Sequence, residues 1–199
     1  MENKVKYHLR DKEEQMVEAW EKAFEGIEEV RITQGNIMEA KEDAIISPAN
    51  SFGFMDGGID LIYSLFFGWQ LQERLQAKII EQYDGELPVG QALIIETNNE
   101  EIPYLISAPT MRLPMDVSDS VNAYLAFRAC ILAVKKFNQT SSKPIKSVIC
   151  PGLCTATGKM PYTRAARQMV IAYRNAALGQ IKLPFHASYL MNEHFRLIR

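Results

Sequence analysis

Ser47-Pro48-Ala49-Asn50-Ser51-Phe52-Gly53-Phe54-Met55-Asp56-Gly57-Gly58-Ile59-Asp60 is the stretch on which the fold turns. Just ahead of it, Ala44 to Ser47 is a short apolar run bounded by turn residues, the pattern of a buried strand. It leads into Ile59 to Phe67, a short apolar segment that reads as a helix. A second stretch has the same setting: Cys150-Pro151-Gly152-Leu153-Cys154-Thr155-Ala156-Thr157-Gly158-Lys159-Met160-Pro161. It follows a strand-like run, Ser147 to Cys150, and opens a helix from Pro161 to Leu178, with proline in the first turn and Gly179 just past the end. Glycines let backbone N–H groups turn towards a ligand, and a helix N-terminus adds partial positive charge. Two such loops can hold phosphates without a lysine cluster; the plain alternative is that each is only a tight connection.

Outward from these loops the chain alternates between element types. From Arg10 it reads as a helix over about 11–24, with Asp11 as cap, Glu14 completing a capping box, and Met16, Val17, Trp20, Ala23 and Phe24 on one face. Val30 to Ile32 is a second short strand, and Leu71, Leu75 and Ile79 mark Gln70 to Gln82 as an amphipathic helix. Ala92 to Glu96 and Tyr104 to Ala108 read as strands joined through Asn98-Asn99, a hairpin turn. Pro109 and Pro114 bracket a loop. Ser118 or Ser120 then caps a long helix whose face carries Val121, Leu125, Arg128, Leu132 and Lys135, with Tyr124, Phe127, Ile131 and Val134 beside it. The tail over 180–199, with Pro184 and Phe185, carries no clear pattern. Strands alternating with helices predict an α/β protein with helices on both faces of one sheet, and ligands at the carboxyl ends of its strands.

The chain's 199 residues suit one domain spanning 1–199, and 47% hydrophobic and 23% charged residues are ordinary for a globular protein. A net charge of −2 gives no global pull on nucleic acid. The uncharged runs fall far short of a membrane span, and the N-terminus lacks the apolar stretch of a signal peptide. Three cysteines make no disulfide framework, and Cys150 and Cys154 have no second pair to complete a metal site. The expectation is a cytoplasmic protein with no metal, no cofactor and neither membrane nor nucleic acid as partner. A phosphate-binding P-loop is excluded: Gly152 and Gly158 stand one residue too far apart, and Met160 follows Lys159 where a hydroxyl is required. The dinucleotide Gly-x-Gly-x-x-Gly fingerprint is absent from both loops.

Four pieces in order resemble the macro domain family, whose members bind ADP-ribose. Gln34-Gly35-Asn36-Ile37 is similar to the family's Gly-Asp-Ile segment, Pro48-Ala49-Asn50-Ser51 to its Ala-Ala-Asn-Ser, and Gly57-Gly58-Ile59-Asp60 to its Gly-Gly-Val-Asp. Pro151 to Gly158 resembles the second, glycine-rich loop. The resemblance runs over about 30–178, with the helix at 11–24 as an addition in front. It implies a three-layer α/β/α fold with a mixed central sheet. It further implies that Asn36 and Ile37 face the adenine and that Asn50 holds the distal ribose, beside Ala49 and Ser51. Gly57, Gly58, Ile59 and Asp60 would line the distal ribose and proximal phosphate, and Leu153, Cys154, Thr155, Ala156, Thr157 and Gly158 the diphosphate.

The departures from the family pattern decide which functions stay open. Asn36 stands where the family usually has Asp. Ser64 stands where hydrolytic branches carry His, while Asp60 remains and Asp56 lies just upstream. Either carboxylate could orient water at the distal ribose, as an ADP-ribosyl hydrolase or an ADP-ribose-1''-phosphate phosphatase requires; alternatively Asp60 is a helix-start carboxylate that answers the dipole. Cys154 and Ala156 stand where glycine is common, and Cys154 is either a small residue filling a glycine site or a thiol activated at a helix start. Arg112 is a rim cation or half of an ion pair. Three classes follow: a hydrolase acting on ADP-ribosyl linkages, a reader of ADP-ribose without turnover, and a scaffold that has lost its ligand.

Overall fold

The computed structural model describes residues 4–180 and 186–199. Pro184 and Phe185 lie outside the described residues. In chain order the elements are β1 (Lys6–Asp11), α1 (Glu14–Ala23), β2 (Val30–Gln34), β3 (Ala44–Ser47), α2 (Gly58–Phe67) and α3 (Gln70–Tyr83). They are followed by β4 (Leu93–Glu96), β5 (Tyr104–Ser107), α4 (Asn122–Thr140), β6 (Ser147–Cys150), α5 (Tyr162–Ala176) and α6 (Ala187–Ile198). A single tight helical turn, Ile37–Glu39, follows β2.

The described strands form one six-stranded sheet in the order β2-β1-β6-β3-β5-β4. All neighbours are parallel except β4, which runs antiparallel to β5, so the sheet is mixed. Side chains alternate across it, as the pleat requires. Ala44, Ile46, Ile106 and Val148 enter a core with Trp20, Phe127, Met169 and Tyr173 from α1, α4 and α5. Ile45, Leu105 and Ile149 enter a second core with Tyr63, Leu71, Leu75 and Ile79 from α2 and α3. These are the three layers of an α/β/α fold.

Two elements have no counterpart in the sequence reading: β1, and α6 in the tail. Arg10 ends no loop and starts no helix: it belongs to β1, and α1 begins later, at Glu14, behind Glu13 with no side-chain cap. Asp11 accepts from the Glu13 backbone N–H, but its second oxygen reaches across to Gly152. The segment ahead of Val30 is therefore no addition in front of the core, because β1 lies between β2 and β6 inside the sheet. The strand is disguised because only Tyr7 and Leu9 face a core, while His8 and Arg10 point to the other face and bind polar neighbours. On α4 the buried side is Ala123, Ala126, Phe127, Cys130, Ile131 and Val134, whereas Leu132 on the expected face is exposed. Ser120 does serve the start of α4, its hydroxyl accepting from the Asn122 N–H, although the residue at the helix boundary is Val121.

Candidate ligand cleft at the strand ends

β1, β2, β3 and β6 run parallel, so their carboxyl ends meet on one edge of the sheet. A cleft of about 660 Å³ opens there, lined from the loops after β3 and β6, the start of α2, and the ends of β1 and β2. The two sequence-predicted loops converge on it.

The loop after β3 is shaped by Asn50. Its Oδ1 accepts from the N–H groups of Phe52 and Phe54, and its Nδ2 donates to the Phe54 carbonyl at 2.8 Å. One Nδ2 proton is left for a ligand, so Asn50 is first a loop organiser and only then a contact residue. Ala49 lines the cleft beside it. Ser51 does not: it is buried, with its carbonyl taken by the Leu87 N–H and its N–H by the Arg112 carbonyl. Its place in the family-like motif reflects the turn.

α2 begins at the cleft. Gly57 precedes it and Gly58, at a left-handed φ of +57°, is its first residue. A Cβ on either glycine would meet nothing within 4 Å. Backbone N–H groups in the first turn of a helix have no partner inside it, so this end offers unblocked donors to the cleft. Ile59 lines the wall and Asp56 stands exposed at it. Asp60 is 6% exposed and accepts from the Ser47 hydroxyl at 2.5 Å. Burial pushes its carboxyl up to about 6, against the opposing pull of the Ser47 bond. Ser64 donates to the Met55 carbonyl and is fully buried.

The loop after β6 folds on itself. Met160 N–H donates to the Cys154 carbonyl, Lys159 N–H to Ala156, and Val117 N–H to the Gly158 carbonyl. A Cβ on Gly158 would lie 2.5 Å from the Cys154 carbonyl oxygen and 2.8 Å from a Val117 methyl. Asp11 Oδ2, from the end of β1, takes the Gly152 N–H at 2.8 Å. Cys154 holds φ +65°, a left-handed conformation suited to glycine, and burial raises its thiol to about 12. That overturns the activated-thiol reading and leaves Cys154 as a small residue in a glycine site. Cys154, Thr155, Ala156, Thr157 and Gly158 line the cleft, but Leu153 points into the core and is fully buried. Arg112 is paired to Glu86 through both carboxylate oxygens, at 2.7 and 3.0 Å, and lies outside the cleft.

Asn36 and Ile37 line the β2 end. Asn36 Oδ1 accepts the Met38 N–H and so starts the tight turn. Beside them stand residues the sequence reading missed: Arg10, Asp11, Lys12 and Glu13 at the end of β1, and Gly35 after β2. Thr110 and Met111, just beyond β5, close the opposite end. The signal that would have found the first group is the alternation of Val5, Tyr7 and Leu9, which marks a strand whose end must reach the same edge.

The macro domain family model matches residues 46–169. This chain belongs to the macro domain family. An uncharacterised protein of Aquifex aeolicus is 30% identical over 142 residues, covering 71% of this chain and 79% of its own length. Among solved structures, the macrodomain of Mycobacterium tuberculosis DarG superposes with a TM-score of 0.60 at 19% identity, over 73% of this chain and 90% of that one. Thermosipho africanus DarTG in complex with ADP-ribose gives 0.56 at 16% identity, over 75% of this chain and 38% of that one. In this macro domain the family match begins at Ile46, yet β1, well ahead of it, supplies part of the cleft wall.

Proposed function

We propose that this macro domain binds ADP-ribose, free or attached to a larger molecule, along the cleft at the strand ends. The observation that carries the reading is the convergence of two amide-presenting loops, at the starts of α2 and α5, on one cleft of about 660 Å³. Neutral backbone donors at helix starts suit a diphosphate, and they fit a chain of net charge −2. The similar Thermosipho africanus chain holds ADP-ribose, which is the ligand this geometry suits. In this arrangement the diphosphate lies between the first turn of α2 and residues 155–158. Asn50 gives its remaining amide proton to a sugar hydroxyl.

Hydrolysis of an ADP-ribosyl or ADP-ribose-1''-phosphate linkage is the second reading, and one observation favours it. Asp56 lines the cleft as an exposed carboxylate with no hydrogen-bond or ion-pair partner among the described residues. A carboxylate in that position accepts a proton from water attacking at the distal ribose. Asp60 is the weaker candidate, since its Oδ1 is engaged by Ser47 and its carboxyl is buried. Calorimetric titration with ADP-ribose, AMP and ADP tests binding: micromolar affinity for ADP-ribose with little for AMP supports it, and no heat with any of the three refutes it. Release of ADP-ribose from a modified protein, lost in Asp56→Ala and kept in Asp60→Asn, supports turnover.

A further inference from the structure

Arg10 ends in a guanidinium fixed on three sides. Nε donates to the Asn36 carbonyl at 2.9 Å, Nη1 to the Thr33 hydroxyl at 2.8 Å, and Nη2 to Glu39 Oε2 at 3.1 Å. The Thr33 hydroxyl lies 2.7 Å from His8 Nε2, and His8 Nδ1 lies 3.0 Å from Glu42. With its oxygen accepting from Arg10, Thr33 has its single proton to give to His8 Nε2. Nδ1–H then faces Glu42, and a buried chain of bonds backs the tether.

The fourth restraint is Gly35. A Cβ built there would stand 2.4 Å from Nη2, 2.8 Å from Cζ and 3.4 Å from Nε. Cζ is only slightly farther than Nη2, so the approach runs along the normal to the guanidinium plane and not along its edge. Glycine at φ +140° lets the backbone lie beneath the plate where any side chain would push it away. Arg10 itself lines the cleft, next to Asn36 and Ile37, and 15% of its side chain is exposed.

We propose that the Arg10 guanidinium is the platform on which the nucleobase of the ligand stacks, at the β1–β2 end of the cleft. The inference rests on the ADP-ribose reading and deepens it by naming the residue that meets the face of the base, beside Asn36 and Ile37, which the family resemblance already places at the adenine. A planar delocalised cation stacks on flat rings, and one held in register loses little freedom on doing so. Three of its five N–H groups are already spent within its own plane, so it is poorly placed to fork a phosphate and well placed to offer a face. Ile37 supplies an apolar contact beside it. Arg10 lies on β1, ahead of residues 46–169, the stretch that the family model matches.

The test titrates the full chain and Arg10→Gln and Arg10→Lys with two ligands: ADP-ribose, and ribose 5-diphosphate, which keeps one ribose and both phosphates but has no base. Melting curves confirm that each variant folds. Loss of base stacking predicts that both variants weaken ADP-ribose about fivefold or more and leave ribose 5-diphosphate unchanged. Glu39→Ala, at a residue whose side chain is 64% exposed, frees one tether without touching the core. It is expected to weaken ADP-ribose about twofold, again without effect on ribose 5-diphosphate. Equal losses for both ligands, or no loss for ADP-ribose, overturn the stacking role while leaving ADP-ribose binding intact. If the unaltered chain binds neither ligand, the ADP-ribose reading falls and the base subsite with it.

Discussion

The two glycine-rich loops look alike in the sequence but use their glycines in opposite ways. Gly57 and Gly58, at the start of α2, have open space where a Cβ would stand. Gly152 and Gly158, after β6, have neighbours inside 3.0 Å, including the backbone carbonyl of Cys154 and a carboxylate oxygen of Asp11. The first pair keeps a wall of the cleft bare for a ligand. The second pair lets a loop pack against itself and against β1. A glycine can therefore be kept for what approaches it from outside or for what already touches it inside; at Gly57, whose backbone is extended, the first use leaves stability untouched, whereas Gly58 at φ +57° is also held by its backbone conformation.

Gly158→Ala tests this contrast most severely. Its Cβ would press on main chain, which cannot rotate away, so the variant is expected to lose about 3 kcal/mol. For a chain of this size that lowers the melting temperature by roughly 6–12 °C. Gly57→Ala is the control: its melting temperature should stay near that of the parent while ADP-ribose affinity falls about tenfold, as the added methyl covers the α2 amides. Equal destabilisation by both substitutions would break the comparison.

Next in size is the strut between the front strand and the second loop. Asp11→Ala removes the acceptor for the N–H groups of Gly152 and Glu13. It is expected to cost about 2 kcal/mol, read as a shift of the denaturant midpoint. Asp60→Asn works in the other direction. The folded-state value of about 6 lies above the ordinary 3.8, so the folded protein holds its proton where the unfolded chain has released it. Stability therefore falls as pH rises from about 4 to about 6 and is level above that. The asparagine variant escapes the loss and should be more stable by up to about 2 kcal/mol at pH 8, with little difference at pH 4. Melting curves at the two pH values check the sign. The smallest effect belongs to Cys154→Gly, where about 1 kcal/mol of relieved backbone strain offsets a similar loss of burial. Its melting temperature and its ADP-ribose affinity should both remain near those of the parent.

Much of this was legible from periodicity and turn chemistry. Ala44–Ser47 and Ser147–Cys150 are short, mostly apolar strands between turn residues, and Leu71, Leu75 and Ile79 place α3 by their spacing. The loops between such elements could be placed at one edge because parallel strands end together. β1 escaped because four of its six residues (Lys6, His8, Arg10 and Asp11) are polar or charged for a reason no local pattern reveals. His8 and Arg10 are satisfied by Thr33, Glu42, Asn36 and Glu39, all on segments that follow much later in the chain. Ser51 and Leu153 were misplaced for a related reason: a motif gives the order of residues along a turn, while the direction of each side chain depends on what packs behind it. Asp60 illustrates the limit in energetic form, since its partner Ser47 and its burial are visible only in the folded chain.

A crystal structure of this chain with ADP-ribose bears most directly on the proposed site. The expected result has phosphate oxygens within hydrogen-bond distance of main-chain N–H groups at the start of α2 and in residues 155–158, with the base against Arg10. Phosphates bound elsewhere on the molecule, or a cleft left empty at saturating ligand, would contradict it.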